Sequence, residues 1–204
     1  MPRPRSPLLS VDAIVRAALF LVDSTGDFST PKVAKELGVS QAALYNHIDN
    51  REHIIELMRG LVFSERQHLD TESLPWDEAL RTLAHEYRDC LVDHPRLVPL
   101  LVAQTVRDLG VMRIYEDMAT VLAKAGLAPS AIVPAITTLD YLVLGSALEL
   151  TAPEVVWSPP QGLFPMLSEA IADLGSPAER SNTAFSFGLE TLLAGIRQVT
   201  KTGF

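Results

Sequence analysis

The sequence predicts an all-α protein in which a small N-terminal three-helix unit with a helix-turn-helix is followed by a larger helical domain. Apolar residues recur about every three to four positions along most of the chain, and Ser, Pro and Gly stand where helices would begin or end. Residues 29–51, STPKVAKELGVSQAALYNHIDNR, have the pattern of two short helices joined by a glycine turn. We therefore expect one domain over residues 1–60 and a second over residues 61–204.

Cap and turn residues predict the helix-turn-helix. Thr30 or Ser29 can cap its first helix, and Gly38 can adopt the left-handed conformation that ends it. Ser40 can then cap a second helix over Gln41–Ile48. The outer surface of this second helix carries small, planar or hydrogen-bonding groups, which suit the major groove of DNA.

The other elements follow from the same signals in chain order. Arg3 and Arg5 lie in a proline-rich arm that could contact DNA, and Ser10 caps a first helix that ends near Gly26. Further helices are predicted over residues 51–69, 76–93, 97–109, 111–125, 130–150, 165–174 and 182–199.

The stretch V-A-K-E-L-G-V-S-Q-A-A-L-Y-N-H-I-D-N-R resembles the TetR family of one-component bacterial regulators. The resemblance implies that Gln41 and Ala42 lie near base edges and that Tyr45, His47 and Arg51 lie near phosphates. Pro31 stands where many relatives carry a base-contacting residue. The DNA-binding residues that we expect are Thr30, Ser40, Gln41, Ala42, Tyr45, Asn46, His47 and Arg51.

Charge is divided unevenly along the chain. The net charge is −8, but residues 1–60 hold seven Lys or Arg against seven Asp or Glu. The later residues hold ten against eighteen. A neutral N-terminal part can bind phosphates, whereas the acidic remainder is repelled by them, so the expected partner is double-stranded operator DNA.

Composition indicates a cytoplasmic protein. The single cysteine, Cys90, cannot form an internal disulfide, and it makes no zinc pattern with the scattered histidines. The start MPRPRSP lacks the apolar core of a signal peptide, and no apolar run approaches the roughly 20 residues of a membrane helix. We expect no cofactor, no metal and no membrane partner.

Two helices near the C-terminus are too apolar to be covered by one chain. The segments Y-L-V-L-G-S-A-L-E and F-G-L-E-T-L-L-A-G-I also resemble the tetracycline-repressor branch of the family. A four-helix bundle with a second copy would cover them, and burial within a monomeric core is the alternative. The expected dimer interface consists of Leu139, Leu142, Gly145, Phe185, Gly188, Leu192, Leu193 and Ile196.

A regulatory half of this kind is expected to enclose a largely apolar small-molecule site. The segment H-P-R-L-V-P-L-L resembles the tetracycline-binding relatives, and the resemblance places Leu101 where those relatives use a histidine at the drug's magnesium. Leucine cannot bind a metal, so we expect a metal-free effector other than tetracycline. The ligand-binding residues that we expect are Leu83, Tyr87, Leu100, Leu101, Gln104, Met112, Tyr115 and Tyr141, with Trp157 as a further lid.

Two other functions compete with this hypothesis. His85, Asp89 and Asp93 could share one helical face, which would suit a helical metal-dependent enzyme. A scaffold with an inactive helix-turn-helix is the other alternative. We favour a homodimeric, ligand-responsive transcriptional repressor without enzymatic activity.

Overall fold

The computed structural model describes residues 9–64 and 73–202 and confirms the all-α fold with an N-terminal helix-turn-helix. Within these residues the helices are α1 (Val11–Thr25), α2 (Thr30–Glu36), α3 (Gln41–Leu44), α4 (Arg51–Ser64), α5 (Trp76–Val92), α6 (Val98–Val102), α7 (Leu109–Lys124), α8 (Pro129–Glu149), α9 (Pro165–Ala170) and α10 (Pro177–Thr202). A 3₁₀ turn, Pro95–Leu97, precedes α6. Arg3, Arg5 and the predicted end of the helix over 51–69 lie outside the described residues.

The chain forms two compact units that are interleaved along the sequence. The first unit comprises Met1–Gln67 and Arg96–Arg113, and the second comprises His68–Pro95 and Ile114–Phe204. A division into two consecutive domains at residue 60 therefore stays a prediction. In the first unit, α1 packs against both α2 and α4.

The core of the first unit is built from the apolar sides of α1, α3 and α4. Ser10 accepts a hydrogen bond from the Ala13 N–H at 3.1 Å and so caps α1, as predicted. Side chains that are at most 2% exposed fill this core: Ile14, Val22, Phe28, Leu44, Ile54 and Met58.

The predicted helix over residues 97–109 is wrong. Helix α6 ends at Val102, and α7 begins only at Leu109. The carbonyl of Leu101, which would accept the next helical bond, instead accepts hydrogen bonds from the Arg59 guanidinium at 2.9 Å and from the Gln104 N–H at 3.1 Å. A buried arginine thus takes the acceptors that would continue the helix.

In the second unit, α8 packs against α5 and α10, and α10 is longer than predicted. It begins at Pro177 because Ser176 and Glu179 form a capping box. The Ser176 N–H donates to Glu179 Oε2 at 2.8 Å, and the Glu179 N–H donates to Ser176 Oγ at 3.3 Å.

Helix α8 is the most apolar element. By length and composition it could cross a membrane, with a mean hydropathy of 1.6 over its best window, so the expectation that no segment meets this test is wrong. Scattered polar residues such as Thr137 and Ser146 hide the signal without lowering the average much. Core helices of proteins outside membranes meet the same test, and only 28% of the window is buried within this chain. The rest of its surface needs another cover.

Candidate functional site

The helix-turn-helix has the predicted turn chemistry. Gly38 has a φ of +65°, a conformation that favours glycine, and the Val39 N–H returns to the Ala34 carbonyl at 3.0 Å. Ser40 Oγ accepts a hydrogen bond from the Ala43 N–H at 3.2 Å, which caps α3. Helix α3 is shorter than predicted, although the Ile48 N–H still reaches the Leu44 carbonyl at 3.1 Å.

The surface of this motif is exposed and polar. Most of the predicted DNA-binding side chains are exposed, whereas Thr30 is buried and Arg51 is half-buried. The exposed members are Ser40, Gln41, Ala42, Tyr45, Asn46 and His47.

Gln41 is held in place by its neighbours. Its Nε2 donates to Thr30 Oγ1 at 2.9 Å and approaches the Tyr45 hydroxyl at 3.4 Å. One amide N–H and the carbonyl oxygen of Gln41 have no printed partner among the described residues, so both are available to a base edge. The amide is therefore oriented before any DNA binds.

Arg51 has a partner within the protein that the sequence did not predict. Its Nη2 donates to Asp27 Oδ1 at 2.6 Å, and its guanidinium lies 4.8 Å from the centre of the Phe28 ring. Burial opposes the shift, but hydrogen bonds from the Phe28 N–H and from Arg51 hold the pKa of Asp27 below its ordinary value. Arg51 therefore joins the start of α4 to the connection between α1 and α2.

Helix α4 is bonded to the segment between α6 and α7 by three charged side chains. Glu56 Oε1 accepts the N–H groups of Arg107 and Asp108 at 2.6 Å each, and its other oxygen accepts from Arg59 Nε at 2.9 Å. Arg59, which is 5% exposed, also donates to the Leu101 carbonyl. We call Glu56, Arg59 and Asp108 the α4 clamp.

The third member of the clamp acts on α7 and on the approach to α4. Asp108 Oδ1 accepts the Val111 N–H at 3.0 Å, which caps the first turn of α7. A Cβ atom on Gly60 would lie 2.7 Å from Asp108 Oδ2, so this position of α4 requires a residue without a side chain.

The same segment also reaches α1. Arg96 Nη1 donates to the carbonyls of Asp23 and Ser24 at 2.8 Å each, where a cation is favoured by the helix dipole. Residues 96–108 are therefore bonded to α1 and α4, which pack against each other beside the helix-turn-helix. Sequence analysis missed these contacts, since isolated charges in apolar helices were the only signal.

In the second unit, three helices bring two tyrosines and a carboxylate together. The Tyr87 and Tyr115 hydroxyls are 3.3 Å apart, and the Tyr115 hydroxyl donates to the Asp140 carboxylate at 3.4 Å. Burial raises the pKa of Asp140 to about 6, against the lowering effect of the two hydroxyls. We call Tyr87, Tyr115 and Asp140 the tyrosine–carboxylate cluster; the sequence predicted both tyrosines but not Asp140.

Asp140 should make stability depend on pH. Its pKa is higher in the folded chain than the ordinary 3.8, so the folded state binds its proton more tightly, and stability falls as pH rises through about 6. We expect Asp140→Asn to stabilise the protein by about 1 to 2 kcal/mol at pH 8, because partial exposure screens the charge. Thermal melts at pH 8 and pH 4 measure the difference, which should vanish at pH 4. The exposed control Glu116→Gln should show no such dependence, and an equal gain at both pH values would contradict the linkage.

The other predicted ligand-binding residues differ in exposure. Leu83 and Leu101 are buried, Leu100 and Gln104 are half-buried, and Met112, Tyr141 and Trp157 are exposed. Tyr141 and Trp157 line a cavity of about 650 Å³ beside α8 and α10. The ligand-binding set stays a prediction, and Tyr87 with Tyr115 is the pair that the structure places in contact.

An apolar groove of about 540 Å³ lies along α8 and α10. Leu142, Gly188 and Leu192 of the predicted dimer interface line it, beside Phe187, which is 75% exposed. A Cβ atom on Gly188 would lie 2.5 Å from Leu142 Cδ2, so glycine lets the two helices approach closely. We call this surface the α8–α10 groove.

The remaining predicted interface residues divide into core and rim. Leu139, Phe185 and Leu193 are at most 2% exposed in the single chain, because α8 and α10 also pack on α5, and so they are core side chains. Ile196 is 5% exposed but lines the groove, and Gly145 lies in the neighbouring cavity.

The alternative metal site finds no geometric support. His85 is exposed and packs its ring edge against Phe185 at 5.2 Å between ring centres. Among residues 9–64 and 73–202, no group of three or more His, Cys, Asp or Glu side chains is arranged to hold a metal ion.

Comparison with known families decides the class. The family model described as tetracyclin repressor-like, C-terminal domain, matches residues 70–200, which is more than half of the chain. The chain belongs to the TetR family. Together with the helix-turn-helix, this makes the protein a ligand-responsive, DNA-binding transcriptional repressor that acts as a homodimer.

Individual relatives of this TetR-family repressor agree along the whole chain. The transcriptional repressor DrrR1 of Streptomyces coeruleorubidus is 26% identical over 95% of this chain and 79% of its own length. The class G tetracycline repressor of Vibrio anguillarum is 26% identical over 94% of this chain and 95% of its own length. Apo ActR of Streptomyces coelicolor is 25% identical with a TM-score of 0.75, covering 94% of this chain and 98% of ActR. These relatives are transcriptional regulators rather than enzymes.

Proposed function

We propose that this TetR-family repressor binds a near-palindromic operator through two helix-turn-helix units and leaves it when a small, largely apolar molecule binds. The two half-site centres should lie about one helical turn, or a multiple of it, apart, because each copy of the dimer supplies one unit. The protein acts in the cytoplasm and has no enzymatic activity. The copies meet along the α8–α10 groove.

The observation that carries the proposal is the double attachment of residues 96–108. Arg96 bonds this segment to α1, and the α4 clamp bonds it to α4. A change in the segment would therefore move both helices of the DNA-binding unit as one body. The segment also caps α7, the helix that carries Tyr115, so an effector that shifts α7 has a bonded route to α4.

The effector's leverage is limited by its preference for one shape of the protein. Shifting the balance from 1:99 to 99:1 requires about 5.5 kcal/mol of differential binding. A gel shift with the DNA next to the protein's own gene tests the proposal, with operator release by apolar compounds as the second measurement. Compounds that raise the thermal midpoint but leave the operator bound would refute the coupling.

Gln41 should determine which bases are preferred. Its oriented amide can pair with an adenine edge, and a good bidentate pair provides roughly 1 to 3 kcal/mol of discrimination. We expect Gln41→Ala to relax preference at one position in each half-site, measured by binding to a library of operator variants. Asn46→Ala on the same exposed surface is the comparison, and an unchanged base profile for Gln41→Ala would remove Gln41 from this role.

Arg51 should contribute without reading bases. If it shares its guanidinium between Asp27 and a phosphate, Arg51→Ala weakens binding to every sequence alike and flattens the salt slope by about one unit. Titrations at several salt concentrations measure that slope. Asp27→Asn is the control, since it removes the internal partner and leaves the cation. An unaltered slope in Arg51→Ala would make Arg51 purely a packing residue of the unit.

A further inference from the structure

Asp140 lies in an unfavourable place for a carboxylate. It is half-buried in the most apolar helix of the chain, and none of the ion pairs among the described residues includes it. Its described polar neighbours are the hydroxyls of Tyr87 and Tyr115. A buried charge without a cationic partner costs stability, so an apolar or amide residue would suit the fold better.

The two hydroxyls satisfy this carboxylate only weakly. Tyr115 approaches Asp140 Oδ1 and Oδ2 at 3.4 and 3.5 Å, whereas hydrogen bonds between oxygens are commonly about 2.7 to 2.8 Å long. Tyr115 has a single proton to share between Asp140 and Tyr87, whose hydroxyl is 3.3 Å away. The cluster therefore has more acceptor capacity than donors, and a further donor would complete it.

The shape of the cluster also favours a cation. The rings of Tyr87 and Tyr115 meet edge to face at 73°, with centres 6.3 Å apart. Ring faces next to a carboxylate attract positive charge, and desolvation strengthens that attraction. A carboxylate ligand would instead meet the Asp140 charge and two hydroxyl oxygens, and would be repelled.

We propose that the tyrosine–carboxylate cluster anchors the effector and takes a protonated amine carried on an otherwise apolar molecule. This rests on the proposed function and narrows its effector to one chemical class. The amine donates to Asp140, while the apolar body packs on neighbouring aliphatic side chains. A hydroxyl in place of the amine offers one donor without charge and binds more weakly.

Three fluorescent probes with the same apolar body test this inference: 9-(aminomethyl)anthracene, 9-anthracenemethanol and 9-anthracenecarboxylate. Fluorescence titration of the full-length protein at pH 7.5 should show the amine binding at least about tenfold more tightly than the alcohol, with the carboxylate weakest. In Asp140→Asn, the preference for the amine over the alcohol should fall below about twofold. In Glu116→Gln, which removes an exposed charge from α7, it should persist.

Other variants and readouts keep the outcomes distinct. Tyr115→Phe retains the carboxylate and should retain the amine preference, so its loss there would assign the anchor to the phenol and overturn the proposal. Equal affinity for all three probes in the wild type, or no binding of any, would also overturn it, whatever the fold of Asp140→Asn. Operator binding by the probe-free wild type is measured in parallel. Its failure would refute the proposed function, whereas intact operator binding without an amine preference would refute only this inference.

Discussion

Leu192→Glu should convert the dimer into a monomer and weaken operator binding by at least about 100-fold. Leu192 lines the α8–α10 groove, so each copy would place a carboxylate in an apolar interface. Burying an unpaired charge there costs several kcal/mol, and about 2.7 kcal/mol is already a factor of 100 in association. A single helix-turn-helix unit would then contact one half-site at a time. Sedimentation measures the mass, and a gel shift measures the operator affinity.

The matched control for this change is Ser186→Glu. Ser186 lies on the same helix, is exposed, and does not line the groove, so it adds the same charge elsewhere. We expect it to remain dimeric and to bind the operator. A Leu192→Glu protein that sediments as a dimer would show that the copies meet on a different surface.

Arg59→Met should be the most destabilising single change in the first unit. The guanidinium is buried and bonds Glu56 and the Leu101 carbonyl, and methionine fills the same space without those bonds. The loss leaves a partly buried carboxylate and a carbonyl with fewer partners, which we expect to cost about 3 kcal/mol. For a chain of this size the thermal midpoint should then fall by roughly 6 to 12 °C.

Arg16→Met provides the comparison for Arg59→Met. Arg16 also pairs with a carboxylate one turn away, but its side chain and that of Asp12 are 57% and 65% exposed. Exposed pairs contribute about 0 to 1 kcal/mol, so the midpoint should move by at most a few degrees. Equal shifts for the two arginines would mean that the α4 clamp adds nothing beyond an ordinary surface pair. Operator release should also fail in an Arg59→Met protein held below its midpoint.

The sequence predicted features that depend on local chemistry. Ser10, Gly38 and Ser40 lie at caps and a turn whose geometry follows from their own side chains and backbone, and the structure places them as expected. The family followed from the same short stretch. Residue spacing alone was sufficient for these features because the interacting groups are at most a few positions apart.

Features that depend on distant partners were not predictable in the same way. The early end of α6 is set by Arg59, which lies 42 residues before Leu101. Asp140 appeared as one polar residue in an apolar helix, and its significance depends on Tyr115 of another helix. Leu193 and Leu192 are adjacent and equally apolar, yet one is core and the other lines the groove. Helical periodicity gives a direction, but only packing shows what lies there.

The interleaving of the two units has a consequence for the order of events during synthesis. Arg59 needs the carbonyls of Leu101 and Gln104, which are 42 and 45 residues further along the chain. At about 5 to 20 residues per second, the ribosome makes them roughly 2 to 9 seconds later. Until then α4 carries an arginine whose final acceptors do not exist. The DNA-binding unit should therefore mature only after the first helix of the second unit has been translated, and a fragment truncated at residue 64 should fold less stably than the same residues in the full chain.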